Sequence, residues 1–204
     1  MTPFSRRAFA TAAMASLLVG CGGHPARQTT AAPGSGRTSP PSPTPVKAAR
    51  PLGRSVPVRL LIPAIDVDTP VMRLGLAPDG SVPVPPVTEH DQAGWYRHSP
   101  TPGQVGPSVI LGHVTVGAYG DGVFRHLARL RRGDRVVARL ENGTAAEFAI
   151  SAVRTVAKAD FPADDVYGDV DRPELRLITC GGPRSGDGYL DNVIVFAELT
   201  SAGS

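Results

Sequence analysis

The hydrophobic pattern along the chain predicts a domain built from short β-strands. Apolar residues either alternate with polar residues or form short runs, and Gly, Pro, Asn and Asp stand in the intervals between them. Alternation is typical of strands with one buried face, and short apolar runs are typical of strands buried on both faces. The predicted strands span residues 56–63, 65–71, 108–113, 134–140, 146–150, 153–158, 174–180 and 193–199.

Two local patterns add detail to this prediction. Asn142-Gly143 separates two of the strands, and this dipeptide is typical of a tight hairpin turn because both residues tolerate left-handed backbone conformations. Val123, Leu127 and Leu130 recur at helical intervals, which predicts a short helix within residues 122–130. Many short strands with little helix favour an all-β barrel or sandwich.

The composition agrees with a loop-rich β-domain and excludes some functions. The chain of 204 residues contains 23 Gly and 21 Pro, and only 5% of its residues are aromatic. Arg6 and Arg7 account for two of its three net positive charges, and no basic stripe with interleaved aromatic residues occurs, so we do not expect nucleic acid as a partner. The sequence has no paired carboxylates and no metal-ligand spacing, so we expect neither a metal nor another cofactor.

The first twenty residues have the pattern of an export signal. Arg6-Arg7 precedes an apolar run over residues 10–19, which is too short to span a bilayer as a helix. The paired arginines with the following Ala8-Phe9 resemble a twin-arginine signal; an ordinary secretion signal that carries two arginines is the alternative.

The end of this signal resembles a bacterial lipobox. Leu18-Val19-Gly20-Cys21 closes the signal at 1–20, so cleavage would leave Cys21 as a lipidated first residue. A segment at 21–53, rich in Pro, Ser, Thr and Gly, is predicted to be a disordered tether. The folded domain then covers 54–200, with a tail at 201–204. We therefore expect a protein outside the cytoplasm, held by its lipid on the outer face of the cytoplasmic membrane; a soluble secreted protein is the alternative.

The two cysteines of the chain have different predicted roles. If Cys21 is lipidated, Cys180 has no intrachain partner, and a lone exported thiol is inert, paired between chains or used in chemistry. His113 and Cys180 each end a predicted strand. Because a cysteine thiol has a pKa near ~8.5, a protonated His beside it would favour the thiolate and later protonate a leaving amine. Either residue alone is more often structural.

The residues around this pair resemble a known family. Leu111-Gly112-His113 and Leu175-Arg176-Leu177-Ile178-Thr179-Cys180-Gly181-Gly182 resemble the His and Cys motifs of the sortases, which place His before Cys at the ends of separate strands. Other stretches resemble the actinobacterial class F group, namely Ala93-Gly94-Trp95-Tyr96, Gly122-Val123-Phe124, Lys158 with Phe161-Pro162 and Val166-Tyr167, and Tyr189-Leu190-Asp191-Asn192-Val193. The resemblance covers about residues 54–200 and implies an all-β fold, an eight-stranded closed β-barrel with one or two short helices.

The resemblance also implies a reaction. Cys180 would be the nucleophile that cleaves a Leu-Pro-x-Thr-Gly-type sorting signal through a thioacyl-enzyme, and His113 would be the general acid/base. An amine of the cell envelope would then accept the acyl group. The implied partners are surface proteins that bear sorting signals, a cell-wall amine, and the membrane through Cys21; we expect the enzyme to act as a monomer.

The arginine of the family's triad is where this sequence departs from the pattern. The expected position near the start of the last strand holds Asn192, which carries no charge, so Arg184 in the loop after Cys180 is the predicted substitute for binding a substrate carbonyl or oxyanion. The residues expected to line the substrate groove are Thr179, Gly181, Gly182, Arg125, Arg176, Asn192 and Trp95.

Two other functions fit parts of the sequence. L,D-transpeptidases are also exported β-rich cysteine enzymes, but their Cys closely follows a Ser-His-Gly cluster, whereas no His lies near Cys180 in the sequence. A non-catalytic surface lipoprotein that binds a ligand or wall polymer is the second alternative, and it predicts a buried Cys180 that is unreactive toward thiol reagents.

Overall fold

The computed structural model of the chain describes residues 49–186 and 188–203. The export signal, most of the predicted tether and Cys21 lie outside the described residues. None of the helices in the described part is long and apolar enough to cross a membrane.

The described residues form ten β-strands and one short α-helix. In chain order these are β1 (Pro57–Ile62), β2 (Val67–Leu74), β3 (Ala93–Tyr96), β4 (Gly106–Leu111), β5 (Thr115–Val116), β6 (Gly120–Asp121), β7 (Arg135–Leu140), β8 (Ala145–Ala157), α1 (Ala163–Tyr167), β9 (Pro173–Ser185) and β10 (Gly188–Gly203). Eight strands close into a barrel in the order β1-β2-β3-β4-β9-β10-β8-β7, while β5 and β6 form a small separate sheet. The predicted closed eight-stranded barrel with a short helix is therefore confirmed.

The barrel has one apolar cluster inside it and a second on its outer face. Leu175 and Leu177 of β9 belong to the interior cluster, and the next residue, Ile178, belongs to the second one. This is the alternation that the period of a strand dictates. The outer cluster also contains Val109 of β4 and Val166 of α1, so the helix covers the outside of the sheet. β4 is buried along its whole length because both of its faces are covered.

Several predicted elements are confirmed by the structure. The Asn142-Gly143 turn joins β7 to β8, and Gly143 has a φ of 86°, in the left-handed region that the turn requires. The two strands predicted at 146–150 and 153–158 are one long strand, β8, whose pairing with β10 shifts register near Phe196.

Other predictions are wrong in detail. Residues 122–130 do not form the α-helix that their apolar spacing predicts. The segment contains only a 3-10 turn at Leu127–Arg129. Its apolar side chains recur at these intervals because they pack into the barrel interior. The strand β3 is missing from the prediction because its four residues are too few to show a period. Glycine at position 94 leaves space for the side chain of Leu74, which a Cβ there would displace.

Candidate functional site

The parallel pairing of β4 with β9 brings His113 and Cys180 to the same end of the sheet. The last residue pair of this ladder is Leu111 with Ile178, and the N–H of Gly112 still donates to the carbonyl of Ile178 at 3.1 Å. His113 and Cys180 each lie two residues beyond that last pair. Neighbouring strands are about 5 Å apart, so this register brings both residues to the same end of the sheet.

The strand-end positions predicted for these two residues need correction. β4 ends at Leu111, so His113 lies in the turn just after the strand. Cys180 lies within β9, because the antiparallel pairing with β10 continues after the parallel pairing with β4 has stopped. Cys180 therefore has a strand neighbour on one side only, and its other side faces the segment that carries His113.

His113 and Cys180 line one cleft of about 560 Å³ on the outer face of the barrel. Both residues are half-buried, and Cys180 is a free thiol. Three further predicted site residues line the same cleft, namely Thr179, Arg184 and Asn192. Apolar side chains form much of the remaining wall, among them Val82, Val84, Leu111, Phe161, Tyr167 and Ile178. Such a cleft suits a largely apolar ligand that a few polar groups orient.

The imidazole of His113 is held by a backbone carbonyl. Its Nε2 lies 2.7 Å from the carbonyl oxygen of Pro85, which is buried. Because a carbonyl only accepts hydrogen bonds, Nε2 must carry the proton of this bond. In the neutral ring, Nδ1 is then the nitrogen with a free lone pair, so it is the one able to take a proton from a thiol.

The segment after His113 also fixes its backbone. The carbonyl of His113 accepts a hydrogen bond from the N–H of Phe124 at 2.8 Å, and Gly122 lies directly against it. A Cβ at Gly122 would collide with the carbonyl group of His113 and come within 2.6 Å of its Cβ. His113 thus occupies the space that a side chain at position 122 would need, so only glycine fits there without displacing His113.

Arg184 stands on the hairpin between β9 and β10. Its guanidinium carbon lies 5.3 Å from the ring centre of Tyr189, which pairs with it across the hairpin. The hydroxyl of Tyr189 is 2.8 Å from the hydroxyl of Thr115, two residues after His113. Tyr189 thus connects the hairpin to the His113 segment. No carboxylate among residues 49–186 and 188–203 forms an ion pair with the exposed Arg184.

Asn192 is the direct partner of Cys180 in the antiparallel pairing of β9 with β10. It is half-buried and lines the cleft. The position that would bear a cation in the triad therefore lies beside the thiol but supplies a neutral amide, whose N–H₂ can donate hydrogen bonds.

A smaller pocket of about 260 Å³ lies on the other side of the same stretch of β9. It is lined by Thr179 and Cys180, which it shares with the cleft, and by Gly181, Gly182 and Arg125. The hydroxyl of Thr179 is buried and has no hydrogen-bond partner among the described residues. Arg125 forms an exposed ion pair with Asp121 at 2.8 Å. Five of the seven predicted groove residues thus line one or both of two cavities that meet at Cys180.

Trp95 and Arg176 do not line either of these cavities. Trp95 is buried in the barrel interior, where its Nε1 donates to the carbonyl of Pro100 at 3.2 Å. Arg176 is buried under α1; it pairs with the buried Glu174 and stacks on Phe196 at 4.6 Å. Although Arg176 shares a strand face with Cys180 as predicted from the period, the helix α1 covers that part of the face. Both side chains are buried in the fold, away from the two cavities.

Several cleft residues were not predicted from the sequence. Pro85, Val82 and Val84 reach the cleft from the loop between β2 and β3, and the only signal for them is the Pro-rich run Val82-Pro83-Val84-Pro85-Pro86. Tyr167 belongs to one of the stretches that resemble class F, and the resemblance implies no role for it. Burial, and secondarily the neighbouring Tyr96, raise the pKa of Tyr167 above its usual value of 10.0, so Tyr167 remains a neutral hydrogen-bond donor at neutral pH.

Within the described part of the chain, no three His, Cys, Asp or Glu side chains cluster as metal ligands would.

Comparisons with known proteins identify relatives of this fold and sequence. A family model described as Sortase domain matches residues 60–200. The SrtA sortase from Actinomyces oris is 23% identical with a TM-score of 0.54, over 82% of this chain and 89% of that one. Sortase C-1 from the same organism is 20% identical with a TM-score of 0.53, over 69% and 72% of the two chains. Sortase A of Listeria monocytogenes is 17% identical with a TM-score of 0.54, over 72% and 89%. No curated protein sequence matches the chain.

Proposed function

This chain belongs to the sortase family of cysteine transpeptidases, and from that membership we propose that it is a class F sortase in which Cys180 and His113 are the catalytic pair. The observation that carries the proposal is the position of the two residues. The parallel β4–β9 pair brings them to the same end of the sheet, and they line one cleft. The motifs around them, and Tyr189 to Val193 before the last strand, support the assignment to class F.

In the first half-reaction, Cys180 forms a bond to the substrate. The thiol gives its proton to Nδ1 of His113, and the sulfur attacks the carbonyl carbon of a Thr-Gly-type bond in a Leu-Pro-x-Thr-Gly-type signal. The bond between that carbon and the nitrogen breaks, and the leaving amine takes its proton from His113. The product is a thioester between Cys180 and the N-terminal part of the substrate.

The negative charge that develops on the carbonyl oxygen needs hydrogen-bond donors. Arg184 supplies a guanidinium at the cleft, and its stacking on Tyr189 holds it above the hairpin. The amide of Asn192, next to Cys180, is a second donor that acts without a charge. The two residues would then divide the role that an arginine has in the family's motif at the position of Asn192.

In the second half-reaction, an amine of the cell envelope replaces the leaving group. Its nitrogen attacks the thioester carbon, the carbon–sulfur bond breaks, and the nitrogen loses a proton to His113, which returns it to the thiolate. The acyl group is then joined to the acceptor by an amide bond, and the enzyme is regenerated.

We also propose that the enzyme works at the outer face of the cytoplasmic membrane. The support for this is the export signal at 1–20 and the lipobox-like end at Cys21, followed by a tether that would hold the domain at a distance from the lipid. Surface proteins with sorting signals and wall amines are accessible there.

The proposal is tested by incubating the protein with a library of Leu-Pro-x-Thr-Gly-type peptides and a primary amine. We expect an amide product that depends on the amine, and neither product nor cleavage with Cys180→Ala or His113→Ala. If the wild-type protein leaves every peptide intact although it is folded, the catalytic proposal is wrong and the chain is a binding protein.

A further inference from the structure

A second pocket, lined by aromatic, aliphatic and polar side chains, continues from the cleft, away from Cys180. It has a volume of about 400 Å³ and shares Val82 and Tyr167 with the cleft as walls. We call it the aromatic pocket; the other residues that define it here are Leu76, Tyr96, His98 and Val109. Because the two cavities share walls, a peptide that leaves the cleft in this direction enters the aromatic pocket.

A row of aromatic rings runs from the cleft into this pocket. Phe161 and Tyr167 in the cleft have ring centres 6.1 Å apart, Tyr167 and Tyr96 are 6.4 Å apart at nearly a right angle, and Tyr96 and His98 are 5.5 Å apart. These are the separations at which aromatic rings attract each other. The row leaves room for another ring or a long aliphatic side chain.

The pocket leaves apolar surface exposed to water. Leu76 is 49% exposed and Tyr167 is 40% exposed, although both are large apolar or aromatic side chains. When a ligand covers concave apolar surface that is open to solvent, the free energy of the system falls, so binding is favoured. Asp169 is the one carboxylate on the wall that the structure describes, so the pocket has little charge to attract an ionic ligand.

The position of the pocket along β4 indicates which part of a substrate reaches it. Val109 and Pro107 form part of the pocket, four and six residues before His113. A strand advances about 3.3 Å per residue, so the pocket begins roughly 13 Å from His113 and extends to roughly 20 Å. An extended peptide advances by the same amount per residue. With its scissile bond at Cys180, such a peptide places the fifth to seventh residue before that bond at the aromatic pocket.

We propose that the aromatic pocket binds a side chain of the substrate that precedes the sorting motif, and that it selects an aromatic or long aliphatic residue there. The leucine of a Leu-Pro-x-Thr motif is the fourth residue before the scissile bond, so the residue in the pocket lies outside the motif. This inference rests on the proposed transpeptidase function and adds a second specificity determinant to it. Substrates would then be distinguished by the sequence that joins the motif to the rest of the surface protein.

The test uses peptides of one length that contain the best Leu-Pro-x-Thr-Gly motif from the library. Every preceding position is serine in the reference peptide, and a single phenylalanine replaces serine at the fifth, sixth, seventh or tenth position before the scissile bond. We expect phenylalanine to raise kcat/KM about tenfold at one or more of positions five to seven, mainly through a lower KM, and to have no effect at position ten.

Two exposed apolar residues provide a matched pair of variants. Leu76→Ser in the aromatic pocket should reduce the ratio of kcat/KM between the best phenylalanine peptide and the serine peptide to about one. Val58→Ser, on β1 and three strands from β4 around the barrel, should keep the ratio at about ten. Both side chains are partly exposed, so neither change should disturb folding.

The outcomes separate this inference from the proposed function. If the serine peptide is turned over and phenylalanine has the same small effect at every position, the transpeptidase function stands and the aromatic pocket has another occupant, such as the chain's own tether. A gain that survives Leu76→Ser would also overturn the assignment of the pocket. If no peptide forms product or an adduct on Cys180, the proposed function itself fails.

Discussion

At the scale of single residues, the site depends on how a few side chains are held. His113 donates from Nε2 to the carbonyl of Pro85, which leaves Nδ1 to exchange protons with a thiol. Pro85 is followed by Pro86, and a residue before proline is confined to extended conformations, so the direction of this carbonyl is well defined. Arg184 of β9 and Asn192 of β10 line the same cleft as Cys180, but only Arg184 has a charge.

Arg184 should therefore supply most of the electrostatic stabilisation. Arg184→Ala is expected to lower kcat by roughly 100-fold, the usual loss for one donor to a developing oxyanion. Arg139→Ala, which removes an exposed arginine from β7, should change kcat little. Steady-state kinetics of the two variants provide the comparison. If the Arg184 variant keeps the wild-type kcat, Arg184 does not stabilise the oxyanion, and Asn192 or Arg125 must do so.

Gly122 is a positioning residue for His113. In Gly122→Ala, the new methyl group collides with the carbonyl group and Cβ of His113, so the imidazole must move. A displacement of about 1 Å at a catalytic group costs on the order of 100-fold in rate, so kcat should fall by about that factor while the protein stays folded. Gly53→Ala is the matched control, because a Cβ at Gly53 has no atom within 4 Å. Equal kcat in both variants would show that His113 does not need this fixed position.

At the scale of elements, β9 combines structure and chemistry on one strand. Its first part pairs with β4 and β10 and carries the buried Arg176, while its second part pairs with β10 and carries Cys180 and Arg184. Arg176 forms an ion pair with Glu174 that is almost completely shielded from water, at 3% and 7% side-chain exposure. Removal of one partner of a buried pair exposes the other to the cost of an incompletely compensated charge; Glu174 would keep only the more exposed Arg172, at 2.7 Å, as its partner.

Arg176→Ala should thus destabilise the fold without affecting chemistry. Because Arg172 still pairs with Glu174, we expect the free energy of unfolding to fall by about 3 kcal/mol in chemical denaturation, the lower end for a broken buried pair, with kcat of the folded protein unchanged. Arg154→Ala is a close control, since Arg154 also stacks on Phe196, at 4.7 Å, but forms its ion pair with Asp165 at the surface. That pair should contribute less than about 1 kcal/mol. A large loss of kcat in the Arg176 variant at unchanged stability would instead support the prediction that Arg176 belongs to the substrate groove.

At the scale of the whole molecule, the barrel could be predicted from the sequence because strand periods and turn residues are local signals. The Asn142-Gly143 hairpin is the clearest example. β3 could not be predicted from its pattern because four residues show no period, and its pairing with β2 is parallel and non-local. That His113 and Cys180 belong to one site could be predicted only from a resemblance. The structure shows the physical reason, because the parallel β4–β9 pair brings both residues to the same end of the sheet. Pro85 could not be predicted, since it acts through a backbone carbonyl that no side-chain motif records.

The attachment of the molecule to the membrane remains a prediction from the sequence. If Cys21 carries the lipid, Cys21→Ala should release the protein from the membrane fraction, because no lipid anchor can form. Mass spectrometry of the mature wild-type protein should find a lipid-modified Cys21 as the first residue. Since Cys21 lies outside the folded domain at 54–200, peptide turnover per molecule should be the same in the variant. A free Cys21 or a retained signal in the wild-type protein would refute the lipid anchor.

If Cys180 forms a thioester with a sorting-signal peptide, the mass of the enzyme must increase during turnover. The protein is mixed with its best peptide in the absence of an added amine, quenched with acid and analysed intact and after digestion. We expect a mass increase equal to the N-terminal part of the peptide, located on Cys180, removed by hydroxylamine and absent from Cys180→Ala. Peptide cleavage without any adduct on Cys180, or an adduct that persists in Cys180→Ala, would show that Cys180 is not the nucleophile.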